Sequence, residues 1–179
     1  KDGLSYCWRS PIVMVLLIMG LATALLAMPF RFLMPVFVVD VYHRGPESMG
    51  LLVAIMGGGA LVGSLAIAAL GNRKRGMLLL AGSFASGIAL MLLALLPFYY
   101  AAAAIMLPLG LADAAQRTAN QSLIMEVTED QYRGRVMSVY MMNFGLMPLA
   151  VLPAGLLIDS MGGQAVIGIL AGALLTVTT

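Results

Sequence analysis

The sequence predicts an all-α membrane protein, built as a six-transmembrane-helix bundle. Mean hydropathy is +0.99, and 61% of the 179 residues are hydrophobic whereas only 10% are charged. Both values lie outside the range of soluble globular domains, so we expect lipid to be the main solvent of the chain. A further observation is that long apolar runs are joined by short polar connections, which favours antiparallel neighbours in one bundle without a soluble domain.

The predicted spans follow from the length of the apolar runs. A helix needs roughly 20 apolar residues to cross the hydrocarbon core of a bilayer. The chain has five such runs and a shorter sixth run that looks truncated, so we expect a single six-helix unit over residues 1–179 that belongs to a longer protein. Turn or charge signals bound the runs, for example HRGPES before the second and GNRKRG after it. The spans are residues 12–37, 49–70, 77–96, 100–125, 136–158 and 164–179.

The first span contains an arginine between two prolines. Pro29 and Pro35 flank Arg31 and are expected to interrupt the helix there. Broken helices persist in membranes only where they are buried or line a cavity. Arg31 also lies near the outer end of the span, so the sequence leaves two readings open for it: an interface anchor or a residue that lines a cavity.

The second and fifth spans carry packing signals. Gly59 and Gly63 form a GxxxG pattern that lets another helix approach closely. Static helix packing and a role in gating are both compatible with this pattern. In the fifth span, Pro148 and Pro153 predict a bent helix, and Asn143 is expected to point its polar side chain into the bundle.

The third and sixth spans contain no ionisable residue. Positions that face lipid have this composition, so we expect both spans to lie on the lipid-facing side of the bundle.

Orientation follows from the distribution of Lys and Arg, because cytoplasmic loops retain positive charge. Seven basic residues fall on one side of the membrane, whereas the loops on the opposite side contain only Arg44. Both ends are therefore predicted to be cytoplasmic. The basic residues on the cytoplasmic side are Lys1, Arg9, Arg73, Lys74, Arg75, Arg133 and Arg135.

The fourth span is long enough to cross the bilayer but carries a polar stripe. Asp113, Gln116, Arg117 and Asn120 occupy positions i, i+3, i+4 and i+7, so they share one helix face, and Asp113 has ion-pair spacing to Arg117. Asp113 lies roughly 20 Å from the outer end at 1.5 Å per residue, beyond the midplane of a core roughly 30 Å thick. A charge there costs roughly 2.5 to 3.5 kcal/mol, so the stripe must face a cavity or the bundle interior.

Two functions remain open for this stripe. Asp113 and Arg117 could neutralise each other and hold two helices together, or the stripe could line a pathway for a solute or a proton. The pathway is favoured because four polar side chains align, which exceeds what one ion pair requires. Glu126 lies at the inner edge of the same span.

Other chemistries have little support in the sequence. The single Cys7 excludes an intrachain disulfide and a cysteine-based metal cluster. The spans contain no Ser/His pair, no metal-ligand cluster and no phosphate-binding glycine loop, so we expect no enzyme activity, no cofactor and no metal. The net charge of +2 does not indicate a nucleic-acid partner.

Several segments resemble a known family. MPFRFLMPVFVVDVY in the first span, MGLLVAIMGGGALVGSL in the second and YRGRVMSVYMMNFGLMPLAVLPAGLLID through the fifth carry the similarity. With these segments the chain resembles the C-terminal six-helix half of a major facilitator superfamily transporter, in the bacterial branch of macrolide efflux pumps and enterobactin exporters. The loop GNRKRG departs from the family's pattern because it lacks an Asp.

The resemblance implies a twelve-helix carrier that works by alternating access and is energised by proton antiport. It implies that the first and fourth spans line a central cavity, with Arg31 and the polar stripe on its wall, and that an N-terminal six-helix half completes that cavity. The expected function is proton-coupled efflux of small amphipathic molecules across the plasma membrane, the inner membrane of a bacterium. The alternatives are an importer of the same fold and a membrane scaffold subunit that transports nothing.

Overall fold

The structure, a computed structural model, describes residues 2–70 and 75–178 of the chain. Helices make up nearly all of the described residues and no strand occurs among them, which confirms the all-α prediction. The helices are α1 (Asp2–Arg9), α2 (Pro11–Leu26), α3 (Pro29–Val36), a π-helical segment (Phe37–Val41), α4 (Pro46–Leu70), α5 (Arg75–Leu95), α6 (Tyr99–Val127), α7 (Arg133–Gly145), α8 (Met147–Met161) and α9 (Gly163–Thr178).

The first span is broken, and it is longer than the predicted residues 12–37. α2 ends at Leu26 and α3 begins at Pro29, which lacks an N–H to donate to the turn before it. The backbone N–H of Tyr42 then donates to the carbonyl of Phe37 at 2.9 Å, an i to i−5 bond that characterises a π-helix. This segment carries the span to Val41.

The fifth span, predicted at residues 136–158, is two helices separated at Leu146. The N–H of Leu146 donates to the carbonyls of Met142 at 3.2 Å and Asn143 at 3.3 Å, and α8 then begins with Pro148 in its first turn. Proline has no N–H for the preceding turn, so the helix breaks just before Pro148, which the sequence marks as a bend. The remaining spans agree with the predicted ranges to within three residues. α1 has no counterpart in the prediction.

Four helical segments of the described chain are long and apolar enough to cross a membrane: Pro11–Val41, Pro46–Ala69, Arg75–Leu95 and Arg133–Ile158. α6 has the length, at 29 residues, but its polar stripe lowers its mean hydropathy. α9 is a shorter apolar helix of 16 residues. The predicted fourth and sixth spans therefore exist as helices, but α6 falls below the hydropathy and α9 below the length of a transmembrane segment.

α4 and α6 form the closest helix pair of the bundle. A Cβ at Gly59 would overlap the carbonyl oxygen of Leu107, and a Cβ at Gly63 would overlap that of Leu111. Gly110 on α6 lies in the same way against the carbonyl of Met56. The GxxxG pattern thus marks a backbone-to-backbone contact that only glycine permits.

The third span, which we expected to lie on the lipid-facing side, has one exposed and one buried face. α5 packs between α6 and α9, and its inner face, which includes Gly82, Ser83, Ser86 and Leu90, is buried. Small and hydroxyl side chains form this face, so it fits closely against α6 without any ionisable group. α9 likewise buries residues such as Ile167 and Ala171 against α5.

Aromatic side chains close the predicted outer end of the bundle. The ring of Tyr42 meets those of Phe37 and Tyr99, each at a centroid distance of 6.2 Å. The guanidinium of Arg44 lies over the Tyr99 ring at 5.3 Å, in a cation–π contact. Tyr99 also donates its hydroxyl to the carbonyl of Ser48 at 3.1 Å, so the cluster joins the first span to α4 and α6.

Candidate functional site

The polar stripe of α6 meets the first span at a buried carboxylate. Asp113 Oδ2 accepts a hydrogen bond from Arg31 Nη2 at 2.8 Å, and Oδ1 accepts one from Arg117 Nε at 3.1 Å. The side chain of Asp113 is 9% exposed, whereas those of Arg31 and Arg117 are 42% and 27% exposed. One carboxylate therefore lies behind two guanidinium groups, and each of its oxygens is bound by a different arginine.

The break in the first span positions this cluster. Arg31 lies in the first turn of α3, and its backbone N–H donates to the carbonyl of Met28 at 3.0 Å. Arg117 Nη2 lies 3.3 Å from Met28 Sδ, a weak acceptor. The residue at the break thus contacts one arginine through its backbone and the other through its side chain.

The amides of the stripe are used to hold helices together. Gln116 Nε2 donates to Thr23 Oγ1 at 2.9 Å, and Thr23 in turn donates to the carbonyl of Met19. Asn120 Nδ2 donates to the carbonyl of Leu16 at 3.2 Å. Both amide side chains are buried and bind α2.

Asn143 makes a similar contact from α7. Its Nδ2 donates to the carbonyl of Leu17 at 3.4 Å, and the side chain is buried, so it points into the bundle. Tyr140, one turn earlier on α7, hydrogen-bonds the Asn120 side chain. α2, α6 and α7 are therefore connected through side-chain amides.

Two small cavities adjoin Arg117. One lies beside Arg31, Asp113 and Ser86, and the other beside Thr23, Gln116 and Tyr140. Each has a volume of about 10 Å³. A cavity needs roughly 10–15 Å³ to hold a single water, so neither accommodates a solute as large as an amino acid.

Several buried polar atoms at the site have no hydrogen-bond partner among the described residues. They include the acceptor oxygens Oε1 of Gln116 and Oδ1 of Asn120, although the amide nitrogen of each side chain does donate a hydrogen bond. On α5, Ser83 and Ser86 present hydroxyl groups in the same situation. A buried unpaired polar group costs free energy, so these atoms reduce the stability of the packing around the stripe.

Sequence reasoning missed the residues that surround the stripe. Thr23 and Met28 look like ordinary members of an apolar run, and Gly20 looks like a packing glycine. A Cβ at Gly20 would lie 2.8 Å from Cε2 of Tyr140 and 2.9 Å from Nδ2 of Asn120, so its absence allows both side chains to reach α2. A glycine and a threonine separated by one helical turn on the first span are the signal that was available.

The predicted cytoplasmic end carries a second set of charges. Glu126 Oε2 lies 3.5 Å from Arg75 Nη1. Arg133 pairs with Asp130 at 2.8 Å and donates through Nε to the carbonyl of Met125 at 2.9 Å, near the end of α6. A guanidinium that donates hydrogen bonds to the last carbonyls of a helix stabilises the helix terminus.

The rest of this end includes Arg135, whose guanidinium lies 5.9 Å from the centre of the Tyr132 ring. Arg73 and Lys74, which were predicted to lie in a cytoplasmic loop, fall outside the described residues. Within the described part of the chain, no group of His, Cys, Asp and Glu is arranged to hold a metal ion.

The family model described as Major Facilitator Superfamily matches residues 2–152, which is most of the chain. No curated protein matches the chain.

Proposed function

The chain belongs to the major facilitator superfamily, and from this premise we propose that it couples the movement of small amphipathic molecules to that of protons by alternating access. Membership makes it a multi-pass membrane transporter. The proposal adds the coupling ion, the class of substrate and the residues that respond to the proton, which are Asp113 together with Arg31 and Arg117.

The observation that carries the proposal is the position of Asp113 between two helices. Its two oxygens bind Arg31 on α3 and Arg117 on α6. Asp113 and Arg117 lie on one helix, so a relative movement of α3 and α6 breaks the contact with Arg31 and leaves the other intact. A carboxylate that loses one of two cationic partners binds a proton more readily, which links protonation to movement.

Gln116, Asn120 and Asn143 support this site as positioning residues. Their amide nitrogens bind a hydroxyl or backbone carbonyls of α2, and these bonds fix α2 against α6 and α7. The arginine contacts, in contrast, reach α3 beyond the break in the first span. We propose that α2 stays packed while α3 moves.

We further propose the wider arrangement of the carrier. α6 and α9 complete six spans in the plasma membrane with both ends cytoplasmic, and a second six-helix half faces the exposed side of Arg31 and Arg117. The partial exposure of these two arginines supports this proposal, because charged groups at this depth need a polar cavity or a partner.

Export is the direction that the sequence patterns favour, since they resemble those of efflux carriers. Uptake is the second candidate, and a specific observation favours it: two arginines contact one carboxylate, an arrangement suited to binding an anion together with a proton.

A charge-neutral variant of the full-length carrier tests the coupling role. Asp113→Asn alone leaves both arginines without their carboxylate, so the matched variant combines it with Arg31→Gln and Arg117→Gln. Purified carriers are reconstituted in liposomes, and accumulation of anionic, neutral and cationic fluorescent amphiphiles is measured with a pH gradient imposed in either direction. Arg44→Gln is the control, because it removes a positive charge at the aromatic cluster.

We expect the neutral variant to fold and reconstitute but to lose accumulation that depends on the gradient. A purely structural cluster predicts the opposite, because neutral replacements of a buried ion pair are often tolerated. Full gradient-driven transport by the neutral variant would therefore refute coupling at Asp113. The absence of transport by the wild-type carrier, for every dye and gradient, would favour the scaffold alternative.

A further inference from the structure

The cluster of Arg31, Asp113 and Arg117 holds two positive charges against one negative charge. We propose that this cluster binds the carboxylate head of an organic anion, so that the substrates are amphipathic acids rather than neutral or cationic molecules. The inference rests on the proposed transport function and specifies the substrate class of the same site.

Arg31 and Arg117 have hydrogen-bond donors that the described residues do not use. A guanidinium has five N–H donors in a planar fork that matches a carboxylate. Contacts with the described residues involve Nη2 of Arg31 and the Nε and Nη2 groups of Arg117. The acceptor of the last of these is a thioether sulfur, which is weak. Most of the donor capacity of the two arginines is thus available to a ligand.

The two guanidinium groups are more accessible than the carboxylate between them. The two arginine side chains are partly exposed, whereas Asp113 is almost fully buried behind them. A ligand that approaches from the exposed side therefore meets guanidinium groups before it meets the carboxylate. An anion is attracted to that surface, and a cation is repelled from it.

Apolar side chains surround the cluster of Arg31, Asp113 and Arg117. The cavity beside the cluster is otherwise lined mainly by apolar side chains, including Phe30, Met56, Leu90 and Leu109. A net positive charge among apolar groups at this depth is costly unless an anion compensates it. The cavity itself, at about 10 Å³, is too small for an amphipathic acid, so the carboxylate head binds at the exposed side of the two arginines and the hydrocarbon body lies outside the cavity.

Asp113 links the binding of the anion to that of a proton. Asp113 competes with the ligand for both arginines, and its protonation removes that competitor. The titratable or charged groups that face it are Arg31 from α3, Arg117 from α6 and Tyr140 from α7, whereas α4 and α5 contribute Met56 and Ser86. Under this inference the anion and the proton bind together at this site and move in the same direction, which favours uptake, the second candidate above, over export. Exchange would require the ligand to expel the proton.

The experiment measures binding to the purified full-length carrier in the absence of any gradient. The probes are naphthoate, naphthamide and naphthyltrimethylammonium, which share a ring system and differ in the charge of the head. Equilibrium dialysis at mildly acidic and mildly alkaline pH gives the affinities. The variants are Arg31→Gln, Arg117→Gln, Arg117→Lys and Asp113→Asn, with Arg44→Gln as the control.

We expect naphthoate to bind at least about tenfold more tightly than the other two probes, and to bind more tightly at acidic pH. Loss of one charge-assisted contact with a carboxylate corresponds to an affinity about 10- to 100-fold lower for Arg31→Gln and for Arg117→Gln. Arg117→Lys keeps the charge without the planar fork, so its affinity should fall between those of the wild type and Arg117→Gln. Asp113→Asn should bind naphthoate tightly at both pH values.

Equal affinities for the three probes, or preference for the cation, would overturn the inference. Failure of the wild type to bind naphthoate would also overturn it, and would indicate that an acidic residue elsewhere in the carrier compensates the arginines. Each single arginine change leaves Asp113 paired with the other arginine, and the probe series on the wild type decides the question even if a variant does not fold. Binding without gradient-driven transport would refute the coupling proposal alone, whereas transport of other probes without naphthoate binding would refute this inference alone.

Discussion

Thr23 and Gln116 show how a single hydroxyl changes the environment of a buried side chain. Gln116 is buried, and its Nε2 group donates to Thr23 across the interface between α6 and α2. A buried amide without an acceptor incurs its full desolvation cost, whereas one satisfied bond offsets much of it. A residue of the apolar first span thereby determines how well the polar stripe of α6 is tolerated.

Thr23→Val keeps the shape of the side chain and removes that acceptor. We expect the free energy of unfolding to fall by about 1–3 kcal/mol, because the amide N–H of Gln116 is left buried and unpaired. Thermal unfolding of the purified protein in detergent measures the effect. Thr176→Val, on the exposed face of α9, is the control. Equal melting temperatures for both variants and the wild type would contradict the prediction.

Tyr42 and Tyr99 provide a second contrast at this scale. Tyr42 is buried, and its hydroxyl has no hydrogen-bond partner within residues 2–70 and 75–178, whereas Tyr99 donates to Ser48. We therefore expect Tyr42→Phe to be neutral or stabilising. Tyr99→Phe should be destabilising by about 1 kcal/mol because it loses a hydrogen bond. Destabilisation by Tyr42→Phe equal to that by Tyr99→Phe would refute this distinction.

Tyr42 also makes the free energy of unfolding depend on pH. Burial raises the pKa of Tyr42 from about 10 to about 12. Between these values the unfolded chain has released the proton and the folded protein has retained it, so the free energy of unfolding falls as the pH rises. Melting temperatures of the wild type should fall more steeply over this range than those of Tyr42→Phe. Parallel curves would show that Tyr42 titrates normally.

At the scale of helices, two adjacent glycines of α4 lie in different environments, and only one of them contacts α6. Gly59 lies against the backbone of α6, whereas nothing lies within 4 Å of a Cβ placed at Gly58. Gly82 on α5 is also close to α6, since its Cβ would lie 2.9 Å from Cβ of Gln116. Composition alone does not distinguish these three glycines, but their positions relative to α6 do.

Gly59→Leu should therefore separate α4 from α6, and Gly58→Leu should be tolerated. Overpacking typically costs about 1–3 kcal/mol and backbone overlap costs more, whereas an exposed substitution changes stability by less than about 0.5 kcal/mol. Gly82→Leu should also impair folding, because α5 packs on α6. The yield of monodisperse protein in detergent and its melting temperature are the measurements. Similar behaviour of the Gly58 and Gly59 variants would contradict the packing argument.

At the scale of the whole molecule, topology remains a prediction from charge. In a Cys7→Ser background, a cysteine at His43 should react with a membrane-impermeant thiol reagent added outside the cell, and cysteines at Gln131 and Lys74 should not. Cys7 is buried, and burial raises the pKa of its thiol, so the native cysteine should react slowly. Labelling at Gln131 but not at His43 would reverse the orientation.

The sequence by itself determined the properties that depend on composition or on neighbours along one helix. Helical class and multi-pass character follow from apolar runs, because a backbone in lipid must satisfy its hydrogen bonds within each segment. The pair of Asp113 and Arg117 follows from i,i+4 spacing, since one turn of helix fixes their separation. The helix breaks beside Pro29 and Pro148 also follow from the local sequence, because proline lacks an N–H.

Only the tertiary structure decided which distant groups meet. The partner of Asp113 on the first span, Arg31, is 82 residues away, and that of Gln116, Thr23, is 93 residues away. The buried face of α5 was also decided there: its glycines and serines pack in the bundle, whereas larger apolar side chains such as Phe84 and Ile88 are exposed. Helix spacing is set by side-chain volume and backbone approach across interfaces, and no pattern along a single helix records which neighbour supplies the opposing surface.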